Sequence, residues 1–278
     1  MKHIFFILLL AVVGLTACGG DSQEAIKQAR REKFVADSLA LKVAVTPTLD
    51  CLPFYLADEK GWFEHEGLSV RLFPYQAQMD QDTALLRHHV EGMTTDRERL
   101  KWLERQGAKL REVGTTNLKW QLLTYRVARI RHLLQLDEEM IAMTRYSATD
   151  MLAQKAIDSV GLKPERVFRI QVNDVGIRLG MLETGIMDAV LLPEPQATQA
   201  RLGGHPVLMD TDSLGLHLGI IVFTEEAMAD SMRQHQVEQL LAVYQQALDS
   251  IAHYGLPHYR DVIVRCCKVK PEVVDSIK

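Results

Sequence analysis

Several groups of polar residues have the types and spacing to hold a small molecule. Ser147 precedes a run with helical periodicity, and Asp150 follows it at capping-box spacing, where a hydroxyl and a carboxylate satisfy free N–H groups at a helix start. The same hydroxyl, Thr149 beside it and the free amides of that first turn also favour a negative ligand group, by about 0.3–1 kcal/mol per charge. Arg145 and Tyr146 add a charge and a ring, whereas Asp150 opposes an anion, so no ligand charge is assigned. Thr94 and Thr95, followed by Asp96, are expected at a corresponding turn earlier in the chain, and Thr46 with Thr48 at the end of the first strand. Hydroxyls there donate or accept, although threonine in a turn more often bonds its own backbone. Phe54 and Tyr55 open a helix, with one ring expected in the core and the other along a cleft. Asn173 and Asp174 follow a strand and read first as a helix N-cap, then as ligand contacts. Glu194 lies between two prolines, a stiff backbone that would hold its carboxylate toward an amine or hydroxyl.

Other chemistries are absent from the pattern. His88 and His89 are adjacent, so they point to different faces of a helix and cannot form the i, i+4 pair of a zinc site. No glycine-rich phosphate loop, Gly-x-Ser-x-Gly elbow or paired CxxC occurs, so no metal, cofactor or catalytic role is expected. Beyond Cys18, the chain has Cys51, Cys266 and Cys267, which cannot all pair among themselves. A link from Cys51 to the 266/267 pair and buried free thiols are both open.

These residues need elements to place them. From Leu41 the chain repeats an apolar strand, a turn and an amphipathic helix closed by glycine, the mark of an α/β fold with mostly parallel sheets. Leu41 to Val45 and Val70 to Phe73 read as strands, with a helix from Pro53 to Lys60 stopped by Gly61. Helices follow over Asp80 to Glu91, ending at Gly92, and from Asp96 as N-cap to Gly107. Leu110 to Val113 and Trp120 to Val127 are expected to complete a first sheet. The rhythm restarts with a strand at Met140 to Thr144, a helix from Ser147 to Val160, a strand at Val167 to Val172 and a helix from Asp174 to Thr184. Met187 to Leu192, Val207 to Met209 and Leu218 to Phe223 are further strands. The remainder is helical, with Val237 to Tyr254 the longest segment, expected to pack outside the first half.

The chain start reads as an export signal: Lys2, then an apolar run from Ile4 to Val13 too short to span a bilayer. Leu15-Thr16-Ala17-Cys18 resembles the lipobox of bacterial lipoproteins, which implies removal of residues 1–17, lipidation of Cys18 and an exported protein anchored to the envelope, periplasmic or on an outer face. Residues 18–40 read as a solvated, partly helical tether. Net charge of −4 with 24% charged and 47% hydrophobic residues fits an ordinary globular protein and argues against nucleic acid as a partner.

The order of motifs then resembles a known group. Lys42-Val43-Ala44-Val45-Thr46-Pro47, Leu52-Pro53-Phe54-Tyr55-Leu56-Ala57, Gly61-Trp62-Phe63 and Glu66-Gly67-Leu68-Ser69-Val70 look like the opening of type II periplasmic binding proteins of the sulfonate, taurine and thiamine-precursor (NMT1/THI5-like) group. The likeness continues at Gly92 to Asp96, Arg145 to Asp150, Gly185 to Ala189, and Glu194-Pro195 with Ala197. It implies two lobes, 41–125 with 222–278 and 126–221, crossing near Trp120 to Arg129 and His217 to Phe223, with the ligand in the cleft. It further implies a monomeric solute-binding protein without enzymatic activity, serving an ABC permease and ATPase. Members commonly continue beyond the point corresponding to Lys278 with helices that finish the first lobe. Two other expectations stand beside it: an envelope sensor or scaffold without a transport ligand, and an enzyme resembling eukaryotic thiamine-pyrimidine synthases, for which Cys266-Cys267 is a poor match to the cysteine-rich motif.

Overall fold

The computed structural model describes residues 24–28, 30–31 and 39–277. The export signal, Cys18 and much of the tether lie outside the described residues; within the tether, 24–28 and 30–31 are helical and exposed. The chain from Leu41 onward forms one compact unit, described below.

That unit holds two five-stranded sheets. Strands β1 (Leu41–Val45), β2 (Val70–Pro74) and β3 (Gly92–Asp96) pair in parallel in the order β2-β1-β3. Beyond β3 lie β10 (Gly219–Thr224), antiparallel to it, and then β4 (Leu110–Thr115). The second sheet repeats the plan. Here β6 (Met140–Met143) stands between β7 (Phe168–Gln171) and β8 (Ala189–Pro193), followed by antiparallel β5 (Trp120–Thr124) and β9 (Val207–Asp210). Near-continuous apolar runs such as Ala189–Pro193, buried along their whole length, suit sheets covered on both faces.

The helices do the covering. Around the first sheet lie α1 (Leu52–Glu59), α2 (Trp62–His65), α3 (Gln78–Leu86) and α4 (Arg97–Arg105). Around the second lie α5 (Ala148–Ser159), α6 (Val175–Thr184) and α7 (Gln196–Leu202). The chain ends in α8 (Glu225–Ala229), α9 (Ser231–Tyr254), α10 (Arg260–Cys267) and α11 (Pro271–Val274). The stripe Val237, Leu240, Val243 and Tyr244 of α9 packs on Leu41, Val43 and Phe54, so the long helix seals the first half as expected. Leu52 and Leu56 on another face of α1 meet Val262, Ile263 and Val273, which docks α10 and α11.

Three expectations change. Trp120 to Val127 does not complete the first sheet: β5 is a central strand of the second, paired with β8 and β9. An apolar run marks burial but not which sheet supplies the burial, and here the chain has already crossed between Thr115 and Trp120. Helix α3 stops at Leu86 rather than Glu91, because His88 takes a left-handed backbone with φ 57°. Gly92 is therefore not its terminator but the first residue of β3, and Thr94 and Thr95 lie inside a buried strand rather than at a turn. The glycine is needed in that strand: a Cβ there would lie 2.5 Å from the Phe223 ring on β10. The cysteines left open above are free, with Cys51 and Cys267 buried and Cys266 half-buried.

Candidate functional site

The carboxyl ends of β1 and β3 and the starts of α3 and α6 converge on a cavity of about 30 Å³ between the two sheets. A water molecule needs about 10–15 Å³ on this measure, so the cavity is compact. Both halves line it. The first contributes Thr46, Thr48, Asp50, Gln81, Thr94 and Thr95; the second contributes Trp120, Asn173, Val175 and Arg178.

Its polar groups are unusual in what they leave unbonded. Asp50, in the 3-10 turn before α1, accepts from Thr116 Oγ1 (2.9 Å) through Oδ2, while its Oδ1 has no protein partner. Burial raises the pKa of that carboxyl, with hydrogen bonds from Thr48 and Thr116 opposing. Neither amide atom of Gln81 on α3 is bonded, although the side chain is fully buried. On the other side, Trp120 Nε1 has no acceptor. Arg178 on α6 is 1% exposed and donates from Nη1 to the Leu191 carbonyl (2.6 Å) and from Nη2 to Thr144 Oγ1 (3.2 Å), but its Nε is unbonded. Burial lowers its pKa to about 10, and its guanidinium carbon stands 5.5 Å from the Trp120 ring centre. Neither Asp50 nor Arg178 enters an ion pair among the described residues. Leaving buried polar groups unpaired is costly, and here the Asp50 carboxyl and the Arg178 guanidinium face one cavity with bonding capacity that no protein group meets.

The threonines position this floor. Thr46 Oγ1 and Thr48 Oγ1 are 2.9 Å apart, and the Cys51 thiol lies 3.1 Å from Thr94 Oγ1 and 3.4 Å from Thr46 Oγ1. Burial pushes that thiol up to about 12, so it is a protonated structural group rather than a nucleophile.

A second set of contacts ties the halves together beside the cavity. Asp96 is the N-cap of α4, accepting from the Arg99 N–H (2.8 Å), and the same Oδ1 also accepts from the Ala148 N–H (2.8 Å) at the start of α5. Arg99 donates from Nη1 to the Arg145 carbonyl (2.8 Å) and from Nε to Asp82 Oδ2 (2.7 Å), with Nη2 bonded to the same oxygen. Desolvation raises Asp82 to about 6 in spite of that guanidinium. The Trp102 and Tyr146 rings stack across the same junction, 5.7 Å apart and 5° from parallel. The negative group at the start of α5 is therefore the chain's own Asp96 carboxylate.

Of the residues expected from sequence, Thr46, Thr48, Thr94, Thr95 and Asn173 line the cavity. Asp96, Arg145 and Tyr146 belong to the junction just described. Ser147 Oγ accepts from the Thr149 N–H (3.1 Å) and donates to the Thr144 carbonyl (2.7 Å), and Thr149 Oγ1 accepts from the Thr144 N–H (2.8 Å), so both fasten the β6–α5 turn. Asp174 caps α6 through the Ile177 N–H (2.9 Å). Phe54 is fully buried against Tyr244, with ring centres 4.7 Å apart. Glu194 accepts from the Thr198 N–H (3.1 Å), Thr198 Oγ1 (2.7 Å) and Arg201 Nη1 (2.8 Å), which occupies its carboxylate on α7.

Asp50, Gln81, Trp120 and Arg178 were missed by the sequence reading. One signal was present: Val175, Arg178, Leu179 and Leu182 share the buried stripe of α6, and a cation on such a stripe is a polar group held in the interior for a reason. Gln81, one turn before Leu85 on α3, has the same signature. No His/Cys/Asp/Glu group among the described residues has the geometry of a metal site.

No curated protein sequence matches the chain. Solved structures do match in fold. The alkanesulfonate-binding protein SsuA from Xanthomonas axonopodis pv. citri bound to MOPS aligns with TM-score 0.74 at 18% identity, over 85% of this chain and 82% of that one. The periplasmic nitrate-binding protein NrtA from Synechocystis PCC 6803 aligns at 0.73 and 14%, over 84% and 68%. A ligand-binding component of an ABC-type import system from Staphylococcus aureus, solved with zinc bound, aligns at 0.71 and 14%, over 84% and 81%. These likenesses agree with the two-sheet topology in making the fold that of a type II periplasmic binding protein. The family model described as NMT1/THI5 like matches residues 48–254, and with most of the folded unit inside that match the chain belongs to the NMT1/THI5-like family.

Proposed function

We propose that this protein is an extracytoplasmic solute-binding protein of an ABC importer, held to the envelope by a lipid on Cys18, that captures a small organic molecule by closing two lobes. Drawn by sheet membership, the lobes are 41–115 with 219–277 and 120–210, joined by the segments between β4 and β5 and between β9 and β10. The supporting observation is the compact cavity whose unbonded, buried polar atoms come from both halves: Asp50 and Gln81 from one, Trp120 and Arg178 from the other. Leaving such an atom unsatisfied costs about 1–3 kcal/mol. A molecule that satisfies atoms of both halves does so only when they are together, so binding and closure are one equilibrium.

The structural neighbours, a sulfonate-binding protein, a nitrate-binding protein and an import component, agree with this reading. A permease and ATPase are the partners it requires, with the receptor acting as a monomer. No catalytic step is assigned, and the Cys51 thiol behind Thr46 and Thr94 is kept protonated by burial.

Native mass spectrometry tests the reading. Purified protein incubated with a solute panel should carry one small adduct per chain that is lost on denaturation. A clean mass with every solute, together with a co-purifying envelope protein, would overturn it in favour of a sensor or scaffold.

A further inference from the structure

The unbonded groups of the cavity are sorted by sign between the two halves. On the second-sheet side every one is a donor: the indole N–H of Trp120 on β5 and the Nε–H of Arg178 on α6, whose positive charge no carboxylate neutralises within ion-pair distance among the described residues. On the first-sheet side stands an acceptor carrying the opposite charge, Asp50 Oδ1, with no cationic side chain paired to it, and beside it the Gln81 amide, able to accept and donate. These side chains are more than nine-tenths buried, so water is a poor substitute for a counter-charge.

Resting on the solute-binding reading above, we infer that the ligand is a compact zwitterion: an oxyanion held by Arg178 and Trp120, and an ammonium held by Asp50, on one short skeleton. The cavity, about 30 Å³, is compact, which favours a short skeleton between the two charges. The division also explains why one ligand draws the halves together, since each of its ends has its counter-charge on a different half. A molecule with only one of the two charges leaves either Arg178 or Asp50 buried and uncompensated, and loses the closing contribution of that side.

The oxyanion can be a carboxylate or a sulfonate, which offer the same acceptor chemistry to Arg178. Isothermal titration of the detergent-solubilised full chain separates them, using glycine and β-alanine against taurine. Acetate, methanesulfonate and ethylamine serve as the single-charge halves. The expected result is that at least one zwitterion binds with one-to-one stoichiometry and that its halves bind at least tenfold more weakly. In Asp50→Asn, zwitterion affinity should fall at least tenfold while the affinity for the matching simple anion does not fall, since the carboxylate that a lone anion leaves uncompensated is gone. Arg178→Lys, which keeps the charge but not the Nε–H, should weaken zwitterion and anion alike, with circular dichroism melts confirming that both variants fold.

A simple anion binding as tightly as the zwitterion, or an Asp50→Asn protein binding zwitterions normally, overturns the inference. So does failure of all the zwitterions. In that case a stoichiometric adduct of another class in native mass spectrometry would leave the solute-binding reading standing, whereas a protein that takes no solute at all would remove both.

Discussion

Asp96→Ser separates the capping of a helix from the joining of the two halves. Serine and aspartate are about equally good N-caps, so α4 keeps its start and global stability should change by only a few tenths of a kcal/mol from that source. The shorter side chain cannot also reach the Ala148 N–H, now 2.8 Å from Asp96 Oδ1. The Gln78 bond to Asp96 Oδ2 (2.9 Å) is lost as well, but both of its ends lie in the first half, so it does not weigh on opening. A hydrogen bond to a charged group contributes about 1.5–3 kcal/mol. At about 1.36 kcal/mol per factor of ten, its loss shifts the ratio of joined to parted halves about 10- to 150-fold toward parted. Single-molecule energy transfer reads this directly, with dyes on cysteines introduced at exposed Glu104 of α4 and Lys155 of α5 in a Cys266→Ser background. The expected outcome is growth of the long-distance population with little change in melting temperature. An unchanged distance distribution would refute the reasoning, because the Asp96–Ala148 bond would then contribute nothing to holding the halves together.

Gly92→Ala should destabilise by about 1–3 kcal/mol, as measured by urea unfolding, since the new Cβ meets the Phe223 ring at 2.5 Å. Combining it with Phe223→Leu should recover part of the loss, and an additive pair would contradict the proposed clash. Asp50 has a pKa raised by burial from 3.8, so its contribution to stability is present below that value and is lost as pH rises through the folded pKa. Asp50→Asn, which keeps an acceptor for Thr116, should therefore melt above the parent at pH 7, with the difference closing as pH falls toward 4. A gap that widens in acid would reverse the sign argued here. With Cys18 replaced, a thiol reagent at pH 8 should modify Cys266 first in the native protein, because it is half-buried whereas Cys51 and Cys267 are buried, although burial raises all three. Rapid labelling of all three would place Cys51 outside the interior.

The legible parts of the fold were those set by local chemistry. Asp96 and Asp174 cap the helices they precede, and Gly61, Gly161 and Gly185 follow helices in left-handed backbone with φ 66°, 70° and 75°. Caps and glycine stops act over a few residues and so are written in a few residues. Sheet membership is not local: Trp120 to Thr124 carries the same apolar signal whether its neighbours are β10 and β4 or β8 and β9. His88 ended α3 where glycine was expected, since a non-glycine residue enters left-handed backbone only when the surrounding chain over-determines it.

The candidate cavity was legible only in part, for a related reason. Threonines at strand ends are easy to nominate, and several do line the cavity. The groups with unmet bonding capacity were hidden inside apolar patterns, where Arg178 and Gln81 count as interruptions of a stripe rather than as its purpose. Glu194 carried its own warning, since Thr198 and Arg201 follow at one-turn and two-turn spacing and are the partners that occupy it.

The junction around Asp96, Arg99 and Trp102 sets a limit on how well such a receptor can report. Bonds between the chain's own groups favour the joined arrangement whatever fills the cavity. Apparent affinity scales with the fraction already joined, so a stronger junction catches scarcer solute. The same fraction is the background that any machine reading the joined shape would register in the absence of cargo. Sensitivity and contrast are thus set against each other by one helix cap, and strengthening it would make a better trap and a noisier messenger.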